Sequence, residues 1–309
     1  WSTPYEYHNR FFTGFAHGSL SGVGCPEMGS LLTMATTGPL DVDYRNYGTA
    51  YKDEKASPGY YAVTLSKYGV LAEATATART SAERYTFPGG EGHILLNLGE
   101  GLTNESGATV RRVSDTEIEG SKLLGTFCYN PQAVFPVYFV LRVDRVPSAS
   151  GYWKKQRPMT GVEAEWTPDN GTYKLYTRYG RDLSGDDIGY WFTYDGLSEG
   201  DEVVVRMGIS YVSVENAREN LEAEQAADAA FDVIREQARK GWNEALGRIR
   251  VEGGTPEQRT VFYTALYHAL LHPNLLSDVN GEYPLMERSG ETGITDGERY
   301  TVFSLWDTC

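Results

Sequence analysis

The chain has 309 residues, 40% of them hydrophobic and 23% charged, a length that predicts about two domains and a composition that excludes disorder. Its formal charge of −14 repels a polyanion, and the absence of any basic stripe argues against a nucleic-acid partner. No apolar run reaches the ~18 residues of a membrane span. No signal peptide precedes Trp1, which reads as a processed or trimmed N-terminus. Cys25, Cys128 and Cys309 are odd in number and fit no zinc spacing, so at least one thiol is free or pairs elsewhere.

Taken in order, the first 212 residues read as strands and turns. Leu31 to Met34 is a strand after a glycine-rich turn. Ser57-Pro58-Gly59 turns the chain into a strand from Tyr60 to Leu65, and Val70 to Thr77 follows with alternating small and polar residues. His93 to Leu98, Val137 to Val143, Tyr190 to Tyr194 and Val203 to Ile209 continue the series. These runs are short, rich in β-branched or aromatic residues, and bounded by Gly, Pro, Asn and Asp. Many short strands with no helical pattern between them predict a large antiparallel β-sandwich. The compact basic run Lys154, Lys155 and Arg157, beside Trp153, reads as a solvated loop.

The pattern changes after Val212. From Glu215 to Ile249, Ala217, Leu221, Phe231, Ile234, Ala238, Trp242 and Leu246 form one apolar stripe, which predicts a long linker helix. Gly253-Gly254 ends it. Thr255-Pro256-Glu257-Gln258 then starts another helix, with Thr255 as cap, Pro256 at the first helical position and Gln258 closing a capping box. Val261, Phe262, Ala265, Leu266 and Leu270 surround that helix with apolar side chains, so it needs burial nearly all round. The domains are therefore read as 1–212, a sandwich; 213–252, a linker helix; and 253–309, the beginning of a helical domain. His268 and His272 are one turn apart with no carboxylate placed as in a zinc protease and read as helix packing; His8 and His93 read as structural or exposed.

Four segments carry a resemblance. The first is Gly14-Phe15-Ala16-His17-Gly18-Ser19-Leu20-Ser21-Gly22-Val23-Gly24-Cys25. The second is Ser57-Pro58-Gly59-Tyr60-Tyr61 with Arg84-Tyr85-Thr86-Phe87-Pro88. The third is Gly125-Thr126-Phe127-Cys128, followed by Val137-Tyr138-Phe139. The fourth joins Thr264-Ala265-Leu266-Tyr267-His268 and Ser277-Asp278-Val279-Asn280-Gly281 to Phe303-Ser304-Leu305-Trp306-Asp307-Thr308. In this order they resemble the N-terminal portion of glycoside hydrolase family 92, the calcium-dependent exo-α-mannosidases.

The resemblance implies a β-sandwich packed on an α/α six-hairpin barrel. It implies removal of terminal α-linked mannose with inversion, α-1,2 linkages being expected, in a secreted, periplasmic or cell-surface bacterial protein. Mannose-containing glycans would be the partners and Ca2+ the cofactor. The calcium site would be completed by the C-terminal domain, with no metal ligand assigned in this chain. Inversion needs an acid and a base roughly 6.5–9.5 Å apart. In the family both follow the Trp-Asp-Thr motif, so no catalytic residue is assigned here and residues 1–309 alone are expected to be inactive. The resemblance assigns sugar contact to Ser21, Gly22, Val23, Gly24 and Cys25, to Phe127 and Cys128, and to Trp306 and Asp307. A carboxylate can accept two sugar hydroxyls and an indole face can cover C–H surface. Glycines let the backbone approach a ligand closely.

Where relatives commonly have His-Thr-His, this chain has His17-Gly18-Ser19, and Pro26-Glu27-Met28-Gly29-Ser30 also departs from the family pattern. That departure keeps open a glycosidase that uncaps mannosyl phosphodiesters, with Lys154 to Arg157 as phosphate partner. A non-catalytic carbohydrate-binding sandwich is the other alternative. Such a module would end near Val212, without the helices and the Trp-Asp-Thr motif that follow.

Overall fold

The computed structural model of the chain describes residues 8–18, 29–101, 106–124, 134–156, 172–177, 182–285 and 290–301. Up to residue 210 it consists of β1 (Phe11–Phe12), β2 (Phe15–His17), β3 (Ser30–Thr37), helix α1 (Tyr44–Tyr47), β4 (Thr49–Ser57), β5 (Tyr60–Leu65), β6 (Val70–Ala76), β7 (Thr80–Thr86) and β8 (Gly90–Asn97). These are followed by β9 (Ser106–Arg112), β10 (Glu117–Leu124), β11 (Phe135–Val143), β12 (Ala149–Gln156), β13 (Thr172–Tyr176), β14 (Leu183–Gly185), β15 (Ile188–Leu197) and β16 (Glu202–Ser210). One sheet has the order β1-β4-β5-β6-β7-β16-β11-β10-β9-β14 and the other β13-β12-β15-β8-β3-β2. All their pairings are antiparallel.

Side chains from both sheets meet in one core. Met34, Leu95 and Trp191 of the smaller sheet join Val63, Tyr85 and Leu141 of the larger in a single buried cluster. The two sheets therefore face each other as a sandwich, as the strand pattern predicted. Gly59 holds the turn between β4 and β5 at φ +81°, where a side chain is disfavoured, and a Cβ there would lie only 3.0 Å from the Ala238 Cβ and 3.1 Å from the Trp242 ring.

The outer face of the larger sheet is covered by helices. Helix α2 (Val214–Glu224) places Ala217 and Leu221 on Val140, and α3 (Phe231–Leu246) places Phe231 and Ile234 on Ala82. The close approach of α2 requires Gly208, since a Cβ there would lie 2.3 Å from the Ala217 carbonyl oxygen. The sequence predicted one linker helix; the structure has two. Between them Gln225 donates to Thr80 Oγ1 and to the Ser81 carbonyl, and Arg206 donates to the carbonyls of Ala226 and Ala227. Carbonyls held by a strand arginine are diverted from the i→i+4 ladder, so the helix stops and restarts.

Helix α4 (Pro256–Ala269) begins with the predicted capping box: Thr255 Oγ1 accepts from Gln258 N–H, and Gln258 Oε1 accepts from Thr255 N–H at 2.9 Å. None of its residues is buried among the described ones. Its contact with α3 includes the Trp242 and Tyr267 rings, 4.7 Å apart. His268 is exposed, its ring 5.7 Å from that of Tyr267, while His93 is a core residue bonded to Thr193 and the Gly38 carbonyl. Two small ribbons follow: β17 (Asn274–Leu275) with β20 (Tyr300–Thr301), and β18 (Glu282–Pro284) with β19 (Thr292–Ile294).

The basic run is not a solvated loop. Lys154 and Lys155 lie on β12, where the Lys154 ammonium bonds the Ser184 carbonyl. Lys155 is enclosed between Asp187, at 3.4 Å, and the Tyr173 ring. Arg157 lies outside the described residues. Among the described residues no helix is long and apolar enough to cross a membrane.

Candidate functional site

Where β2, the β6–β7 turn and the end of β16 converge, an open cavity of about 290 Å³ is walled on another side by residues 274–278. Its walls include His17, Arg79, Ser81, Ser210, Tyr211 and Asp278. The strand ends deliver these groups because β7 pairs with β16 and β2 crosses from the opposite sheet.

His17 anchors the sandwich side. Its Nδ1 lies 2.7 Å from the Leu31 carbonyl oxygen, which can only accept, so Nδ1 carries the proton. Nε2 lies 2.8 Å from Ser81 Oγ and 3.2 Å from Glu83 Oε1. Glu83 is buried and accepts from the hydroxyls of Thr33, at 2.6 Å, and Tyr85, at 2.8 Å. Burial, reinforced by the Glu83 charge, holds the Tyr85 hydroxyl protonated well above its usual range. Leu31 itself has φ +55°, a left-handed conformation that costs a leucine about 1–3 kcal/mol. The His17 bond and the pairing of His17 with Ser30 hold it there.

The opposite wall is fastened by Arg79 and Asp278. Arg79 Nε donates to the Ser277 carbonyl at 2.7 Å, and its guanidinium pairs with Glu224 at 2.8 Å. The Asp278 carboxylate accepts from Ser210, Asn216 and Asn220. Burial pushes its carboxyl above the ordinary range, against the pull of those three bonds. Asp278 is the one carboxylate among the described lining residues, and its oxygens are committed to three donors. Its three donors hold the carboxylate in place within the wall.

The nine sugar-contact residues expected from the sequence all lie outside the described residues: Ser21, Gly22, Val23, Gly24 and Cys25; Phe127 and Cys128; Trp306 and Asp307. All three cysteines fall among the undescribed positions too. Described residues that flank these segments in sequence line the cavity or contact its wall. Gly18, just before the first segment, lines it. Thr301, before the last, pairs with Asn274 of its wall. Phe135, shortly after the second, has its ring 6.1 Å from that of Tyr211, another wall residue. Arg79 and Ser210 were not singled out from the sequence, where a turn arginine and a strand-end serine carry no signal. Asp278 was visible only as part of a motif. Among the described residues no group of three or more His, Cys, Asp or Glu gathers to hold a metal ion, so they do not by themselves fit a calcium site.

Comparison with known proteins gives consistent results. The model of the glycosyl hydrolase family 92 N-terminal domain matches residues 1–210, and that of the family's catalytic domain matches residues 216–309. No curated protein sequence matches the chain. Among solved structures, the family GH92 alpha-mannosidase BT3965 from Bacteroides thetaiotaomicron, in complex with mannoimidazole, superposes with a TM-score of 0.83 at 28% identity. The match covers 99% of this chain and 39% of that one. The gh92 family glycosyl hydrolase ccman5 gives 0.79 at 26% identity over 99% of this chain and 40% of its own. The inverting mannosidase BT2199 from Bacteroides thetaiotaomicron VPI-5482 shares the fold, with a TM-score of 0.76 at 23% identity, over 96% of this chain and 37% of its own. The chain thus spans about two fifths of the length of these relatives.

Proposed function

The chain belongs to glycosyl hydrolase family 92, and we propose that the whole protein is an exo-acting α-mannosidase that removes terminal α-linked mannose from glycans with inversion. The observation that carries this reading is the match to a mannoimidazole-bound alpha-mannosidase over 99% of the chain. The cavity supports it, since Gly18 lines it and Thr301 and Phe135, beside the other two motif segments in sequence, contact residues of its wall. We place the sandwich within 1–212, the two linker helices within 213–252 and the start of the catalytic domain at 253–309. Ser21–Cys25, Phe127, Cys128, Trp306 and Asp307 are proposed to contact the sugar, with α-1,2-linked mannose as the preferred substrate. Calcium would bind beside the sugar, held by residues outside those described. A secreted, periplasmic or cell-surface location would bring such an enzyme to its glycans.

The mannosyl-phosphodiester reading drew on the basic run. Lys154 and Lys155 are committed to Ser184 and Asp187, so they give it no support. A non-catalytic binding module is disfavoured by the match of residues 216–309 to a catalytic domain.

The test uses the whole protein. Proton NMR of the reaction on an aryl α-mannoside should show β-mannose as the first product. In a panel of α-1,2, α-1,3 and α-1,6 mannobiose and a mannosyl phosphodiester, the α-1,2 compound should turn over fastest. α-Mannose as the first product would exclude inversion, and turnover of the phosphodiester alone would establish the alternative. Residues 1–309 expressed alone are expected to be inactive. Turnover by that piece would place the acid and base within it.

A further inference from the structure

A buried carboxylate, rather than apolar packing alone, fastens the wall of the cavity. Asp278 is 5% exposed. Its Oδ2 accepts from the Ser210 hydroxyl at 2.6 Å and from Asn216 Nδ2 at 2.8 Å, and its Oδ1 accepts from Asn220 Nδ2 at 2.6 Å. Ser210 ends β16, and Asn216 and Asn220 stand one turn apart on one face of α2. Arg79, the cation whose charge reaches Asp278, bonds Glu224 and the Ser277 carbonyl instead. Burying a carboxylate among neutral donors costs solvation that those donors only partly restore. A carboxylate is nevertheless the compact side chain that can accept from three donors at once; an amide has one acceptor oxygen.

The surrounding bonds show what the carboxylate fixes. Val279 N–H donates to Asn220 Oδ1, and Gly281 N–H to the Asp278 carbonyl. Leu276 N–H donates to the Arg299 carbonyl, and Arg299 N–H to Ser277 Oγ. β17 and β20 then pair Asn274 with Thr301. Asp278, alongside the Arg79 bond to the Ser277 carbonyl, thus ties the 274–278 wall to the sandwich, together with the strand that precedes Trp306 and Asp307 in sequence.

The geometry points to Asp278 as a positioning residue of the proposed hydrolysis: it sets the cavity wall formed by residues 274–278 and the strand paired with it, without itself contacting the sugar. This rests on the mannosidase reading above. In the whole enzyme, Asp278→Asn keeps the size of the side chain but turns an amide toward groups that must donate. It should lower kcat at least about tenfold while KM stays within about threefold, the signature of an arrangement realised in the transition state. Hydrogen exchange should quicken by at least about tenfold at the Leu276 and Ser277 amides, with β5–β8 unchanged. Ser210→Ala, which removes one donor and leaves the carboxylate held by two, should show the same pattern at smaller amplitude, and it decides the matter should Asp278→Asn fail to fold. Unchanged exchange, or a lowered Tm with wild-type kcat per folded molecule, would overturn the assignment and leave a fastener of the fold alone. A wild-type enzyme that cleaves no mannoside would instead bring down the parent reading. The exchange comparison needs no substrate and would still tell whether Asp278 sets the wall.

Discussion

His17 holds the Leu31 backbone in a left-handed conformation from below, and it links that strain to a buried polar group. Its two ring nitrogens do different work. Nδ1 satisfies the Leu31 carbonyl, while Nε2 engages Ser81 and Glu83. The side chain of Asn can place its amide nitrogen where Nδ1 sits, so His17→Asn should retain the first bond and lose the second. His17→Ala should lose both. Leaving a buried acceptor unpaired costs about 1–3 kcal/mol, so the alanine variant should be less stable than the asparagine variant by about that amount. Denaturant unfolding of both variants in the whole protein measures it. Equal stabilities would show that the Leu31 carbonyl does not depend on His17. Lys155 makes a related point about charge at this scale. Its ammonium lies against Asp187 and the Tyr173 ring, so a basic side chain on a sheet is tied up by neighbours that the local sequence does not name.

At the scale of elements, α2 is pinned by charge as well as by Ala217 and Leu221. Arg218 bonds Glu117 and Glu119 of β10, and Arg142 of β11 bonds Glu117 and Glu222. Burial alone would raise the Glu117 carboxyl, but the bonds from Arg142 and Arg218 outweigh it and hold it below its ordinary value of 4.5. A lowered folded pKa means stability that is fully present above the unfolded value and lost as pH falls through the folded one. The stability advantage of the wild type over Glu117→Gln should therefore be constant near neutrality and shrink below pH 4.5. Denaturation across a pH series checks this; an advantage undiminished at about pH 3 would contradict the arginine pairing. The same helix shows where a sequence is legible. The strand from Tyr60 to Leu65 was read to its observed bounds because alternation and a Pro-Gly turn are local signals. The break between α2 and α3 was not, because it depends on Arg206 and on the Thr80–Ser81 edge, both distant in sequence. The cavity falls between these cases. His17 and Asp278 sat in recognisable motifs, but their partners Glu83, Ser210 and Asn220 come from three other elements, and only the folded chain brings them together.

At the scale of the whole molecule, the two sheets enclose a core of their own, whereas α4 has no buried residue among those described. A cation raises the free energy of those openings that disrupt its site and leaves openings that spare the site unchanged. At a hundredfold excess over Kd the gain is about 2.7 kcal/mol by mass action. The described residues bring no group of three or more His, Cys, Asp or Glu together, so the proposed calcium should leave the sandwich strands indifferent to its removal. In the whole enzyme a chelator should abolish mannoside turnover. Added calcium should restore it better than magnesium, which demands a tighter octahedral shell. Hydrogen exchange followed in parallel should quicken in the catalytic part, while the amides of β5–β8 and β15 keep their protection. Protection lost from those strands on chelation would move metal ligands into the sandwich. Turnover that survives the chelator would remove calcium from the mechanism while leaving inversion, judged by the first-released anomer, to stand on its own.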